Sequence, residues 1–242
     1  MDQFEAVKAE CAKHMTADEY CENDKHYTIY NIYYDTEQDD VILHSLSKPF
    51  FKEKLRLRSY NPIVAESDIV YLELKNKVNG IVYKRRSAMT LGEAERFVET
   101  GEKPQLASFI DNQVANEIAY FLSRYRVSSK LYLSYERLAF FGNEDRGLRV
   151  TFDRNILTRR EHVDFRSGDY GHELLDSDVC LMEVKFYGAM PLWLTVLLSG
   201  LRAYCAGFSK YGTEYKQYAT HRHQYKSKQP DTRVPVKYNR PA

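Results

Sequence analysis

The sequence is poor in residues that mark a specialised compartment or scaffold. Four cysteines, seven prolines, 11 glycines and one tryptophan are spread over 242 residues. Cys11, Cys21, Cys180 and Cys205 lack zinc-like spacing and are too few to frame a disulfide scaffold, so they read as reduced thiols in a cytoplasmic protein. The most apolar stretch, Pro191 to Leu201, is shorter than the roughly 20 residues a bilayer requires. The N-terminus carries Asp2, Glu5 and Glu10 where a signal peptide needs a basic and then an apolar region. An excess of charge of one sign is missing too. The 35 Lys and Arg face 34 Asp and Glu, which argues against a strongly basic nucleic-acid binder. That inference is limited, because six of the basic residues follow residue 220 with a single acid, Asp231. Net charge hides where charges sit.

What is abundant is tyrosine, with 20 residues of a type that favours strands and half-wet surfaces. Period-3.6 spacing of Phe4, Val7, Cys11 and Met15 predicts an opening helix over 3–15. Strands are predicted over 26–35, 51–60, 69–77, 80–88, 130–142, 148–155 and 179–187. Val78-Asn79-Gly80 marks a tight hairpin, because Asn-Gly accepts positive φ. Thr90 with Glu93 resembles a capping box, and helices follow over about 91–100 and 109–125. Pro191 opens a short apolar helix, another covers 208–218, and the polar chain from His221 reads as a loosely ordered basic tail. The expectation is one α+β domain over 1–220, with a large antiparallel sheet or barrel flanked by helices, and a tail over 221–242.

Parity then sorts the charges. Residues two apart on a strand share a face, so Lys52, Lys54, Arg56 and Arg58 lie together, opposite Leu55 and Leu57. Glu73, Lys75 and Lys77 share a face, as do Lys84 and Arg86. Tyr135 pairs with Arg137, Arg149 with Thr151 and Asp153, and Glu183 with Lys185. A single charged strand face is commonly just the wet side of a sheet. Recurrence in five strands points instead to a lumen that binds a run of negative charges, because guanidinium groups match phosphate oxygens in a bidentate way. Glu73 and Glu183 could neutralise neighbouring lysines or hold a divalent metal against phosphate oxygens.

Several segments in order carry a resemblance: Tyr33-Tyr34-Asp35-Thr36, Lys54 to Tyr60, Leu72-Glu-Leu-Lys75, Lys84-Arg-Arg86, Tyr135 to Phe140, Leu148 to Asp153, Leu181 to Lys185 and Phe208-Ser-Lys210-Tyr211. Over roughly 1–218 the chain resembles the vacuolar transporter chaperone (VTC) domain, of the triphosphate tunnel metalloenzymes. The resemblance implies an antiparallel β-barrel tunnel flanked by helices. It implies transfer of the ATP γ-phosphate to a growing polyphosphate chain, with Mn²⁺ or Mg²⁺ as cofactor. Carried over by position, Arg56, Arg58, Lys75, Lys84, Arg137 and Arg149 would line the tunnel and hold phosphates, and Lys210 would stand near one tunnel end. Glu183 matches the metal-binding glutamate, whereas a metal role for Glu73 rests on its parity alone. Members of the family open with a strand ahead of the helix that here starts near Gln3. The expectation is therefore a barrel with an exposed edge, short of at least one phosphate ligand.

Two alternatives stand beside a polymerase: a hydrolase of triphosphate or short polyphosphate in the same tunnel, and a non-catalytic polyphosphate-binding module. A nucleic-acid module fits less well, because the cations alternate with aliphatics rather than with base-stacking aromatics. The expected partners are ATP and polyphosphate, with no nucleic acid and no membrane segment. His14, His162, His172 and the Trp193, Leu194, Leu197, Leu198 set read as structural, and the tyrosines as packing the barrel wall, with Tyr60 able to touch a nucleotide.

Overall fold

Long segments that alternate apolar and charged residues form strands that must bury one face and offer the other. The computed structural model, which describes residues 2–62 and 65–228, joins such strands and two short ones into one nine-stranded antiparallel sheet. The chain runs α1 (Asp2–His14), β1 (Met15–Ala17), a 3-10 turn (Glu19–Asp24), β2 (Tyr27–Asp35), α2 (Asp40–Leu46), β3 (Phe51–Ser59), β4 (Ile69–Val78) and β5 (Ile81–Thr90). It continues with α3 (Leu91–Thr100), α4 (Phe109–Arg124), β6 (Ser128–Gly142), β7 (Arg149–Arg159), β8 (His172–Glu173), β9 (Leu181–Lys185), α5 (Leu192–Gly200) and α6 (Lys210–Lys228).

Local chemistry explains the boundaries. Asn79 and Gly80 both take positive φ, 46° and 86°, as the tight β4–β5 hairpin requires. Thr90 and Glu93 form a reciprocal capping box on α3, and Gly101 ends that helix at φ 78°. The Ser108 hydroxyl accepts from the Asp111 amide at the start of α4. The strand predicted over 179–187 shortens to Leu181–Lys185. The tail predicted to begin at His221 is instead helical in backbone through Lys228, so α6 crosses the expected domain boundary. Of the tail cations, Arg233, Lys237 and Arg240 lie outside the described residues.

The sheet order is β5-β4-β3-β2-β6-β7-β8, with β1 on β6 and β9 on β7. Among the described residues no strand joins β5 to β9, so the sheet curls without closing. The expected α+β architecture is present, and the ring of strands stays open along one side. Curvature shows in the electrostatics: Lys75 on β4 feels Glu183 and Lys185 on β9, five strands away in the order.

The apolar faces of β3, β4 and β5 bury Leu55, Leu57, Leu72, Leu74 and Met89 against Phe97 of α3 and Ile118 and Phe121 of α4. A second core sets Phe4, Val7 and Cys11 of α1 and Leu194 of α5 against Leu138, Phe140, Val150 and Phe152. Each fully buried aliphatic or aromatic side chain contributes about 1.5–3 kcal/mol. These outer cores fix the strands' roll, and so leave the opposite parity facing the concavity. A third cluster, including Tyr33, Leu133, Tyr135 and Tyr211, fills part of that concavity beneath α2 and α6. All four cysteines are free thiols. Among the described residues no helix is long and apolar enough to cross a membrane.

Candidate polyanion-binding site

Register turns the parity argument into rows. Arg56 of β3 stands opposite Glu73 of β4, which stands opposite Arg86 of β5. One row along, Lys54, Lys75 and Lys84 align in the same way, and Lys52 faces Lys77 beyond them. Glu73 is fully buried and is the hub of the first row. Its Oε2 accepts from Arg56 Nε at 2.7 Å and its Oε1 from Arg86 Nε at 2.6 Å, with Arg58 Nη1 at 3.9 Å and Lys84 Nζ at 3.8 Å. Burial alone would raise its pKa, but Arg56, Arg58, Arg86 and Lys84 bring it down to about 2. Both oxygens are thus held by guanidinium groups, and a metal at Glu73 would enter a cluster of cations. Glu73, expected from its parity to hold a metal, anchors arginines in this arrangement.

Each arginine of this cluster is also braced by neutral groups. Arg56 Nη1 donates to the Tyr33 hydroxyl at 3.2 Å, Arg58 Nε to Asn31 Oδ1 at 3.1 Å, and Arg58 Nη2 to the Tyr135 hydroxyl at 3.4 Å. Burial opposes the charge of Arg56, but Tyr33 and Glu73 more than offset it and raise its pKa. Burial would also raise the Tyr33 phenol, yet Arg56, Lys54 and Lys75 pull it down to about 8. Lys54 and Lys84 are each lowered to about 8, chiefly by desolvation, and Lys75 is lowered for the same first reason.

A second anchor lies across the concavity. Asp153 of β7 accepts from Arg137 Nε and Nη2 at 2.7 and 2.8 Å and from Lys210 Nζ at 2.5 Å. Its pKa is lowered because Arg137 and Lys210 outweigh the cost of burial. Lys210 opens α6, whose position is set by Tyr211 donating to buried Asp35 at 2.8 Å and by a bidentate Arg160–Glu214 pair at 2.7 Å. The preceding Ser209 hydroxyl accepts from Lys54 at 3.2 Å, so the start of α6 spans the concave face from β3 to β7. Arg149 sits further toward one end, 3.4 Å from Asp18 and over the Phe141 ring, with its buried Nε unpartnered. Glu183, opposite Thr151, is half exposed and 3.3 Å from Lys185.

The structure therefore gathers Arg56, Arg58, Lys84 and Glu73 in one cluster, with Lys75 beside it, and Arg137 and Lys210 in a second cluster. Arg149 and Glu183 lie near the second, on the open side. Sequence reasoning missed Arg86, Tyr33, Asn31 and Asp153 as members. Their parity was visible, but only the strand register places them against the chosen cations. Among the described residues no three His, Cys, Asp or Glu side chains gather so as to hold a metal ion. A protein-only metal centre is thus absent from them. One exposed carboxylate, Glu183, is the kind of donor that meets a hard cation already carried by phosphate oxygens.

A family model described as the VTC domain matches residues 1–219. Solved structures similar to the chain include a provisionally named adenylate cyclase from Bacillus halodurans, at 13% identity and TM-score 0.47, covering 85% of this chain and 88% of that one. Another, from Vibrio parahaemolyticus and provisionally named in the same way, has 12% identity and TM-score 0.36, with 82% and 80% covered. No curated protein matches the sequence. With the family's model spanning nearly all of the folded chain and the cationic groove in place, the protein belongs to the VTC domain family.

Proposed function

We propose that this chain is an ATP-dependent polyphosphate polymerase, which adds the γ-phosphate of ATP to the end of a phosphate chain lying in the groove. The observation that carries the proposal is the convergence of Arg56, Arg58, Lys75, Lys84, Arg137 and Lys210 on one concave face whose buried carboxylates are already paired. That face keeps an excess of positive charge over a length suited to several phosphates in a row. Phosphoryl transfer asks little covalent chemistry of a protein: it needs in-line positioning and neutralisation of the charge spread over the equatorial oxygens. Arg56 and Arg58, fixed by Glu73, Tyr33, Asn31 and Tyr135, would hold phosphates without reorganising. Arg137, Lys210 and Arg149 would hold phosphates from the opposite wall. The terminal phosphate of the acceptor chain is the nucleophile and ADP the leaving group.

A divalent cation, Mn²⁺ or Mg²⁺, would arrive with the nucleotide, with Glu183 as its protein ligand, and would lower the negative charge on the reacting phosphates. The test is incubation of the full chain with ATP and Mn²⁺ or Mg²⁺, followed by sizing of the products. Long polyphosphate together with ADP is expected. Release of orthophosphate alone would replace this reading by a hydrolase in the same groove.

One observation favours a second reading, a polyphosphate-binding module without turnover. The sheet is open between β5 and β9, and Glu183 sits exposed on that side. That reading predicts tight binding of inorganic tripolyphosphate that survives Glu183→Ala, with no product from ATP in the parent.

A further inference from the structure

The two ends of the groove differ in chemistry. Toward one end the rows are lysine alone: Lys54 with Lys75 and Lys84, then Lys52 with Lys77. Of the exposed aromatics nearest that end, Phe51 and Tyr83 have the parity of the outer face, and Phe50 lies just ahead of β3. At the other end the arginines give way to a line of tyrosines that crosses the sheet. Tyr71, Tyr60, Tyr27 and Tyr20 follow one another with ring centroids 5.8, 6.4 and 6.0 Å apart. Tyr20 is 68% exposed and Tyr60 43%. Arg86 joins this line to the Glu73 cluster: its guanidinium lies 4.5 Å from the Tyr71 ring centroid and donates to the Tyr60 hydroxyl at 3.3 Å.

A line of rings edge-on or tilted to one another, with Tyr20 and Tyr60 open to solvent beside arginines that suit phosphate, has a specific use. The geometry points to the exposed rings of Tyr20 and Tyr60, backed edge-on by Tyr27 and Tyr71, as the stacking surface for the base of the nucleoside triphosphate. This rests on the triphosphate-binding reading of the groove and adds the part that recognises the nucleoside. With the base on the tyrosines, the phosphates run past Arg86 and Arg58 toward Arg56, and the acceptor chain lies over the lysine rows. The order of donor and acceptor along the groove is thereby fixed. Base stacking is tolerant of base identity because every base has a π-face, so purines should be preferred to pyrimidines only modestly.

The test is calorimetric titration of the full chain with ATP and with inorganic tripolyphosphate, for the parent and for Tyr20→Ala, Tyr60→Ala and Tyr60→Phe. The alanine variants should weaken ATP binding by about tenfold or more, the loss carried by one base–aromatic stack. Binding of tripolyphosphate by Tyr20→Ala, whose ring meets only Tyr27 of the line, should stay within about twofold, which also shows that this variant remains folded. Tyr60→Phe keeps the ring and loses the hydroxyl that meets Arg86 and Arg58, so its ATP loss should be smaller than that of Tyr60→Ala. Equal losses for ATP and tripolyphosphate, or ATP binding untouched by both alanines, overturn the platform and leave the groove standing. A parent that binds neither ligand removes the groove reading, and the platform with it.

Discussion

Glu73→Gln is the sharpest perturbation of the groove, because it removes one charge and keeps the shape. In the parent the carboxylate is fully buried and pairs with Arg56 and Arg86, with Arg58 and Lys84 within 3.9 Å. Its folded pKa of about 2 lies below the ordinary 4.5. At 1.36 kcal/mol per pH unit that difference corresponds to about 3 kcal/mol of stability. The sign follows from the direction: a depressed carboxylate stabilises fully above pH 4.5 and loses that contribution as pH falls toward 2. Breaking a buried ion pair from one side typically costs about 3–5 kcal/mol, in agreement. At roughly 2–4 °C per kcal/mol for a chain of this size, the variant should melt about 10 °C lower at pH 7. Inorganic tripolyphosphate supplies the missing negative charge, so it should raise the melting temperature more in the variant than in the parent. The assay is thermal unfolding monitored by circular dichroism, from pH 2 to pH 7, with and without tripolyphosphate. The gap between variant and parent should close as the pH falls below 4.5. An unchanged melting temperature at pH 7, or a larger tripolyphosphate effect in the parent, would refute the reasoning.

Four further outcomes are expected. Glu183→Gln should abolish polyphosphate synthesis from ATP and Mn²⁺ while tripolyphosphate binding stays equal or tightens, since it removes a negative charge from the groove; calorimetry and product sizing together check this. Affinity for tripolyphosphate should fall as pH rises from 7 to 9 at constant ionic strength, because Lys54 and Lys84 lose their protons near pH 8 and Tyr33 gains a charge there. Stability of the ligand-free chain should rise over the same range from the lysines, whose unfolded value of 10.5 leaves the unfolded state holding more protons. Thr90→Ala removes the reciprocal cap on α3 and should cost about 1 kcal/mol in chemical denaturation without altering tripolyphosphate binding.

The strands were legible because their alternation serves two purposes at once. Leu55 and Leu57 meet α3 and α4 while Arg56 and Arg58 face inward, and both facts rest on a period of two. The long amphipathic helices and the Asn79-Gly80 turn were legible for equally local reasons. What escaped was held by distant contacts. Helix α2 is short, and its first amides are capped by Asp35, which is itself tied to Tyr211 176 residues away. Strand β1 is three residues long and exists by pairing with β6. The partners of the cations escaped similarly: parity put Asp153 and Arg86 on the inner face, but only register could show that Arg137 takes one and Glu73 the other.

Register also sorts Glu73, Asp153 and Glu183 into two kinds. Glu73 and Asp153 are buried and each binds more than one cation, so their charge is spent in fixing arginine and lysine positions. A paired guanidinium keeps its fork geometry for phosphate: Arg137 presents Nε and Nη2 to Asp153 and turns Nη1 away from it. Such anchors hold like charges close together before any ligand arrives, which is the costly part of building a polyanion site. Glu183 pairs with Lys185, is felt by Lys75 and has half its surface in solvent, so its charge stays available to an incoming cation. Near-neutral composition is therefore compatible with a strongly cationic groove, because Glu73 and Asp153, acids that enter it, serve to brace the cations.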